Sequence, residues 1–134
     1  MEDVVIASSA ADAAAATAVE QHHALLAGSL ALRVEGVVAT AATAHDGAAM
    51  RSRDGLVEWC RDELVPHAKA EEESMYPLAQ ALPDGRLLVE GMLAEHVTIL
   101  GLVDEIAKAA DPVRAAVAAR ALQTMFESHL AKEN

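Results

Sequence analysis

Six histidines occur at five places in the chain: His22 with His23, His45, His67, His96 and His129. Four of these places lie on apolar stripes of helical spacing, one stripe per predicted helix. An imidazole on a core-facing stripe carries two polar nitrogens into an apolar interior and must find partners there. One such histidine is ordinarily a satisfied core residue; one on each of four stripes points to a shared site. Two of them have a glutamate four residues on, His67 with Glu71 and His129 with Glu133. At about 100° per residue this spacing returns to nearly the same face one turn along, so imidazole and carboxylate can enter one cavity. With thirteen glutamates in 134 residues the spacing alone is weak evidence. The heights of the residues in the fold must decide.

The elements that position these residues follow from periodicity and punctuation. Helix one is predicted to start near Ser8 and Ser9, with Asp12 completing a weak capping box, and to carry Val19, Leu26, Leu30, Val34, Val37 and Ala41. It fades at His45-Asp46-Gly47. Helix two begins after Ser52 or Asp54 and carries Leu56, Trp59, Cys60, Leu64, His67, Glu71, Met75 and Leu78. Pro66 should kink it and Pro77 should weaken its last turn, since proline removes a helical donor. Pro83-Asp84-Gly85 reads as a turn. Helix three covers about Arg86 to Ala109, with Leu93, His96, Leu100 and Val103 in register. Asp111 followed by Pro112 opens helix four, which carries Val117, Leu122, Met125, Phe126, His129 and Glu133. Short connections make neighbours antiparallel, so the expected fold class is all-α, an up-down-up-down antiparallel four-helix bundle.

In such a bundle the histidines come level. From His67 to the end of helix two is roughly 22 Å, and from the turn back to His96 roughly 18 Å, at 1.5 Å per residue. His96 and His129 also agree to within a turn. Helices two and four run parallel, which displaces Glu71 and Glu133 the same way from their histidines. Two carboxylates and several imidazoles in one layer suit a pair of divalent or trivalent first-row metals, with the carboxylates bridging.

The bulk numbers agree with this class. Hydrophobic residues make up 53% and aromatics 2%, so the core must be built from Ala, Leu, Val and Met. A formal charge of -11 argues against a nucleic-acid partner or an anionic membrane surface, both of which need basic patches. No uninterrupted apolar run was expected to reach the length of a membrane span, and the start lacks the basic region of a signal peptide. The single cysteine, Cys60, excludes an internal disulfide and fits a reducing cytosol. The expectation is one domain over 1–134, frayed over 1–10, acidic and cytoplasmic, in a natural chain that continues past 134 with a further C-terminal domain.

The segments LVPHAKAEEESMYP, LAEHVTIL and ESHLAKEN, with HHALL in helix one, resemble the histidine–histidine–glutamate signature of the hemerythrin-like cation-binding domains. The resemblance runs from about His22 to Glu133. It implies that His67, Glu71, His96, His129 and Glu133 are iron ligands, joined by one histidine of helix one. His23 lies nearer the middle of the apolar stripe than His22 and is favoured; His22 is the alternative. The oxygen carriers of the family bring two histidines four apart from helix three, whereas here Met92 and Leu100 flank His96. Fewer protein donors leave more open coordination positions. A second departure is Glu133 as penultimate residue, where a fraying helix would hold a ligand poorly.

What the resemblance implies is a cofactor of two iron ions, oxo- or hydroxo-bridged, that binds or senses dioxygen, nitric oxide or peroxide. An enzyme turning over peroxide or nitric oxide is one alternative. A metal-responsive or structural module holding zinc or manganese is the other.

The remaining candidates take plainer readings. Cys60 is expected to be a small buried core residue, Tyr76 to lie about 140° round the helix from Glu71 and away from the metals, and Glu72 and Glu73 to be solvated. Met75, Met92 and Met125 are read as core filling that also shields the metals, His45 as exposed, and Glu63 as either an exposed ion-pair partner or a support for His67.

Overall fold

The computed structural model describes residues 2–43 and 46–133, with side chains other than those of residues 2–9, 12 and 46. The expected position of His45 falls outside these. Six helices, α1 (Glu2–Thr43), α2 (Asp46–Trp59), α3 (Val65–Glu73), α4 (Met75–Gln80), α5 (Arg86–Lys108) and α6 (Pro112–Glu133), form the four rods of the bundle, with α2, α3 and α4 in line as the second rod. The fold is the expected all-α bundle, and the described residues contain no strand.

Two boundaries differ from the sequence reading. Helix α1 begins at Glu2 rather than near Ser8, because an alanine-rich stretch continues a helix more readily than two serines stop it. Helix α2 begins at Asp46, before Ser52 and Asp54.

The proline expectations take a specific form. Immediately before Val65-Pro66 the rod widens into a π-helical turn over Cys60–Leu64, in which the Val65 N–H donates to the Cys60 carbonyl. A proline cannot supply the next helical donor, and a wider turn ahead of it accommodates the mismatch. The rod breaks again at Ser74, whose φ of -117° departs from helical values, three residues ahead of Pro77. Pro83-Asp84-Gly85 turns the chain, and there glycine is required by space: a Cβ at Gly85 would collide with the Ala79 carbonyl. At α6 the Asp111 carboxylate accepts the Arg114 N–H at 2.9 Å, the cap its position foretold.

The core runs along one face of each rod. From α1 it takes Leu26, Leu30, Val34 and Val37, from the second rod Leu56, Val57, Cys60 and Leu64. Helix α5 adds Ile99, Val103 and Ile106, and α6 adds Ala115, Ala118, Ala119, Leu122, Phe126 and Leu130. Three alanines on α6 let it lie close to its neighbours. Ala119 is fully buried, so Ala119→Leu forces the rods apart and lowers stability by about 1–3 kcal/mol, readable in a thermal melt.

Cys60 is the core residue expected. Burial pushes its thiol up from 9.0 to about 12, against the pull of Arg33 and Arg61. The fold holds the neutral thiol, so this contribution to stability is present below about 9 and lost as pH rises towards 12. A soluble disulfide reagent at mildly alkaline pH is therefore expected to find no thiol in the native protein and one per chain in denaturant.

Within Ala13–Thr43 an 18-residue window reaches a mean hydropathy of 1.5, long and apolar enough by length and composition alone to cross a membrane. Alanines interspersed with single charges raise its average without forming an unbroken run. The buried residues of this stretch are the α1 stripe of the core together with His23.

Candidate metal centre

Beyond the core leucines, each rod turns one polar side chain or pair inwards at a single level. On α1, His23 stands three residues before Leu26 on the same face and is 1% exposed. Its neighbour His22 is turned about 100° away. It is exposed, its ring tilted against that of His67 with centroids 5.0 Å apart. On α3, His67 and Glu71 share a face, with Nε2 and Oε1 3.3 Å apart. Helix α5 supplies His96, and α6 supplies His129 and Glu133, whose Nε2 and Oε2 lie 3.4 Å apart. The structure thus brings together His23, His67, Glu71, His96, His129 and Glu133, and places His22 at the rim.

Their arrangement is two overlapping groups. His23, His67, Glu71 and Glu133 have donor atoms within 4.8 Å of one another, and so do His96, His129, Glu71 and Glu133. Both groups contain the same two carboxylates. Glu133 turns Oε1 to His23 at 3.7 Å and Oε2 to His129. Glu71 turns Oε2 to His23 at 3.6 Å and Oε1 to His96 at 3.6 Å. The imidazoles thus fall into two pairs with the carboxylates between them.

The donor chemistry fits cations. Ligands bound at about 2.1 Å stand about 3 Å apart when adjacent in an octahedron and about 4.2 Å apart when opposite, and the facing atoms here occupy that range. His67 Nε2, Glu71 Oε2 and Glu133 Oε1 are buried and lack a hydrogen-bond partner among the described residues. Three polar atoms left so in one cavity would be costly without a cation to satisfy them.

Electrostatics within the cluster are strongly coupled. Burial works against the Glu71 charge, but contacts from His67 and His96 outweigh it and hold the carboxyl well below its usual range. Burial disfavours charge on His96, yet Glu71 and Glu72 raise it; on His129, Glu133 and Glu95 likewise overcome burial. In the metal-free protein these imidazoles therefore hold protons more tightly than usual, and a cation binding to Nε2 must displace them.

Two residues were read differently from the sequence. Tyr76 is buried at the site, not turned away from it. Its O–H donates to Glu133 Oε2 at 2.7 Å and lies 3.1 Å from His96 Nε2 and 3.3 Å from His129 Nε2. The 140° reckoning assumed one continuous helix from Glu71, and the break at Ser74 resets the phase. The same hydrogen bond fastens Glu133, so this carboxylate is buried rather than frayed at the helix end. Glu72 is exposed as expected but also reaches α5, where its Oε1 accepts from His96 Nδ1 at 2.9 Å. Of the methionines, Met92 is buried beside Tyr76 and Val89, Met125 is partly buried against the main core, and Met75 is exposed. Glu63 and Glu73 are exposed.

Comparison with known proteins agrees with the donor set. A family model described as the hemerythrin HHE cation-binding domain matches residues 14–134. Neither the curated proteins nor the solved structures provide a match. A match over nearly the whole chain, on a bundle that gathers histidines and glutamates from all four rods, places this protein in the hemerythrin HHE cation-binding family.

Proposed function

We propose that the chain is a non-haem di-iron protein that binds or senses dioxygen or a related small ligand such as nitric oxide or peroxide. The observation that carries this reading is the sharing of Glu71 and Glu133 by both donor groups. Carboxylates common to two imidazole pairs would serve two cations, where one cation would need only one group. His23 and His67 would hold one iron, and His96 and His129 the other. Two reduced irons held by these residues would supply electrons to a diatomic ligand or peroxide.

The protein's own groups define what reaches them. Each group offers four donors, so six-coordinate iron keeps open positions. His67 is the least buried of the four imidazoles, 14% exposed beside the surface ring of His22, and marks the edge nearest solvent. Val89 and Met92 line the apolar side around Tyr76 and restrict water. The Tyr76 oxygen stands at adjacent-donor distance from His96 Nε2, His129 Nε2 and Glu133 Oε2. We assign it as the fifth protein donor there, taking the place left by Leu100.

Elemental analysis of the purified protein with an absorption spectrum in air tests the reading. About two irons per chain with near-ultraviolet bridge bands is the expected result. Zinc, manganese or a single iron with a featureless spectrum would overturn it. Anaerobic titration of the reduced protein with dioxygen or nitric oxide then separates binding from turnover.

A further inference from the structure

On the face of each imidazole opposite the cavity, the His96 side of the centre carries a second layer of charge. His96 Nδ1 lies 2.9 Å from Glu72 Oε1, and His129 Nδ1 lies 3.2 Å from Glu95 Oε1. A carboxylate only accepts, so each Nδ1 carries the proton and donates, which turns the Nε2 lone pair of the neutral ring into the cavity. Glu95 is itself held by Lys132 Nζ at 2.8 Å. The charged pair on His129 is therefore partly compensated, whereas among the described residues no lysine or arginine pairs with Glu72 and no carboxylate faces His67 Nδ1.

The helix geometry explains where these residues come from. Glu72 follows Glu71, and Lys132 precedes Glu133. One residue turns a side chain about 100° from the core towards the seam with the next rod. The chain neighbour of each bridging carboxylate thus acts on a histidine of the adjoining helix, directly from Glu72 and through Glu95 from Lys132.

We propose that Glu72 and Glu95 are positioning residues that make the His96–His129 side the tighter and more oxidising-state-favouring half of the centre. The inference rests on the di-iron reading above. Each carboxylate fixes the ring orientation and adds electron density to a metal-facing nitrogen, as acceptors behind metal-bound imidazoles do. Lys132 moderates the effect of Glu95.

The test is iron(II) affinity by competition with a chelator, together with the midpoint potential by spectroelectrochemistry, in variants whose helical circular dichroism matches wild type. Glu72→Ala and Glu95→Ala are each expected to weaken one of the two irons at least tenfold and leave the other unchanged. Glu72→Gln and Glu95→Gln keep an acceptor, so they recover most of the affinity while the potential rises. Lys132→Ala removes the compensating cation and moves the potential downwards, opposite to Glu95→Gln, which a purely structural role would not do. Glu73→Ala, on the exposed side of the same helix, changes neither quantity. Alanine variants that hold both irons within twofold of wild type, at an unchanged potential, would overturn the positioning role while leaving the centre intact. A wild-type chain that takes up no iron(II) would overturn the centre and this inference together.

Discussion

Glu71→Ala is expected to empty the centre, taking iron from two per chain to none at concentrations where the wild type is saturated. Its two oxygens serve different imidazole pairs, Oε2 towards His23 and Oε1 towards His67 and His96. Each group then loses one of four donors and one of its two negative charges, while the cations keep their repulsion across the cavity. The fold should survive the substitution. Removing a carboxylate from a site where it is 4% exposed also removes its desolvation cost, and His96, freed of that partner, reverts towards neutral. The metal-free variant should therefore melt within about 2 kcal/mol of the metal-free wild type. The metal-loaded wild type should stand about 4 kcal/mol higher when free metal exceeds its dissociation constant a thousandfold. Elemental analysis and thermal melts with and without chelator check both halves. A variant that still holds two irons would remove Glu71 from between them.

How far such a centre is legible in sequence depends on whether a residue's direction is fixed within one helix. His67 with Glu71 and His129 with Glu133 lie one turn apart inside unbroken helices, and simple phase reckoning brings each pair to a common face. His23 rather than His22 faces the interior by the same rule, because Leu26, Leu30, Val34 and Val37 define the buried face of α1. The level of the four histidines follows from helix lengths and one strong turn. The reckoning fails where helicity is interrupted. Tyr76 lies beyond Ser74, and the expectation that it points away holds only for an ideal helix. The Pro77 signal that weakens this turn was present, but proline gives the place of a break and not its angle.

Glu72 is exposed as expected, yet it also makes a contact that the helix alone does not show. Turning 100° from the core of an isolated helix leads to water, whereas in a bundle it leads to the seam with the neighbouring rod. The His96 ring that receives it belongs to another helix 24 residues on. Contacts of that kind need the packed structure, as does the hydrogen bond by which Tyr76 secures Glu133 across 57 residues. The penultimate glutamate looked poorly held because the residue that holds it was assigned elsewhere.

Tyr76→Phe carries the second large effect. With no metal, the phenol is held protonated: burial raises it, and the Glu133 and Glu71 carboxylates raise it further. A ferric ion held by His96, His129 and the shared carboxylates would reverse that environment, since a nearby bound cation inverts the local acid–base order. The oxygen already lies at adjacent-ligand distance from both imidazole nitrogens, so loss of its proton converts a hydrogen-bond donor into an anionic ligand. The iron-loaded, oxidised wild type is then expected to show a visible phenolate-to-iron band in addition to the near-ultraviolet bridge bands. Tyr76→Phe should abolish the visible band completely and keep two irons, because four imidazoles and two carboxylates remain. Its potential should rise, as one anionic donor is lost. Fixing of Glu133 by the hydroxyl alone predicts a different pattern: no visible band in either protein, and a weaker hold on both irons in the variant. Absorption and resonance Raman spectra of the two proteins, measured at matched iron content, distinguish the ligand from the fastening, and a wild-type spectrum without tyrosinate modes would leave Tyr76 only the second role.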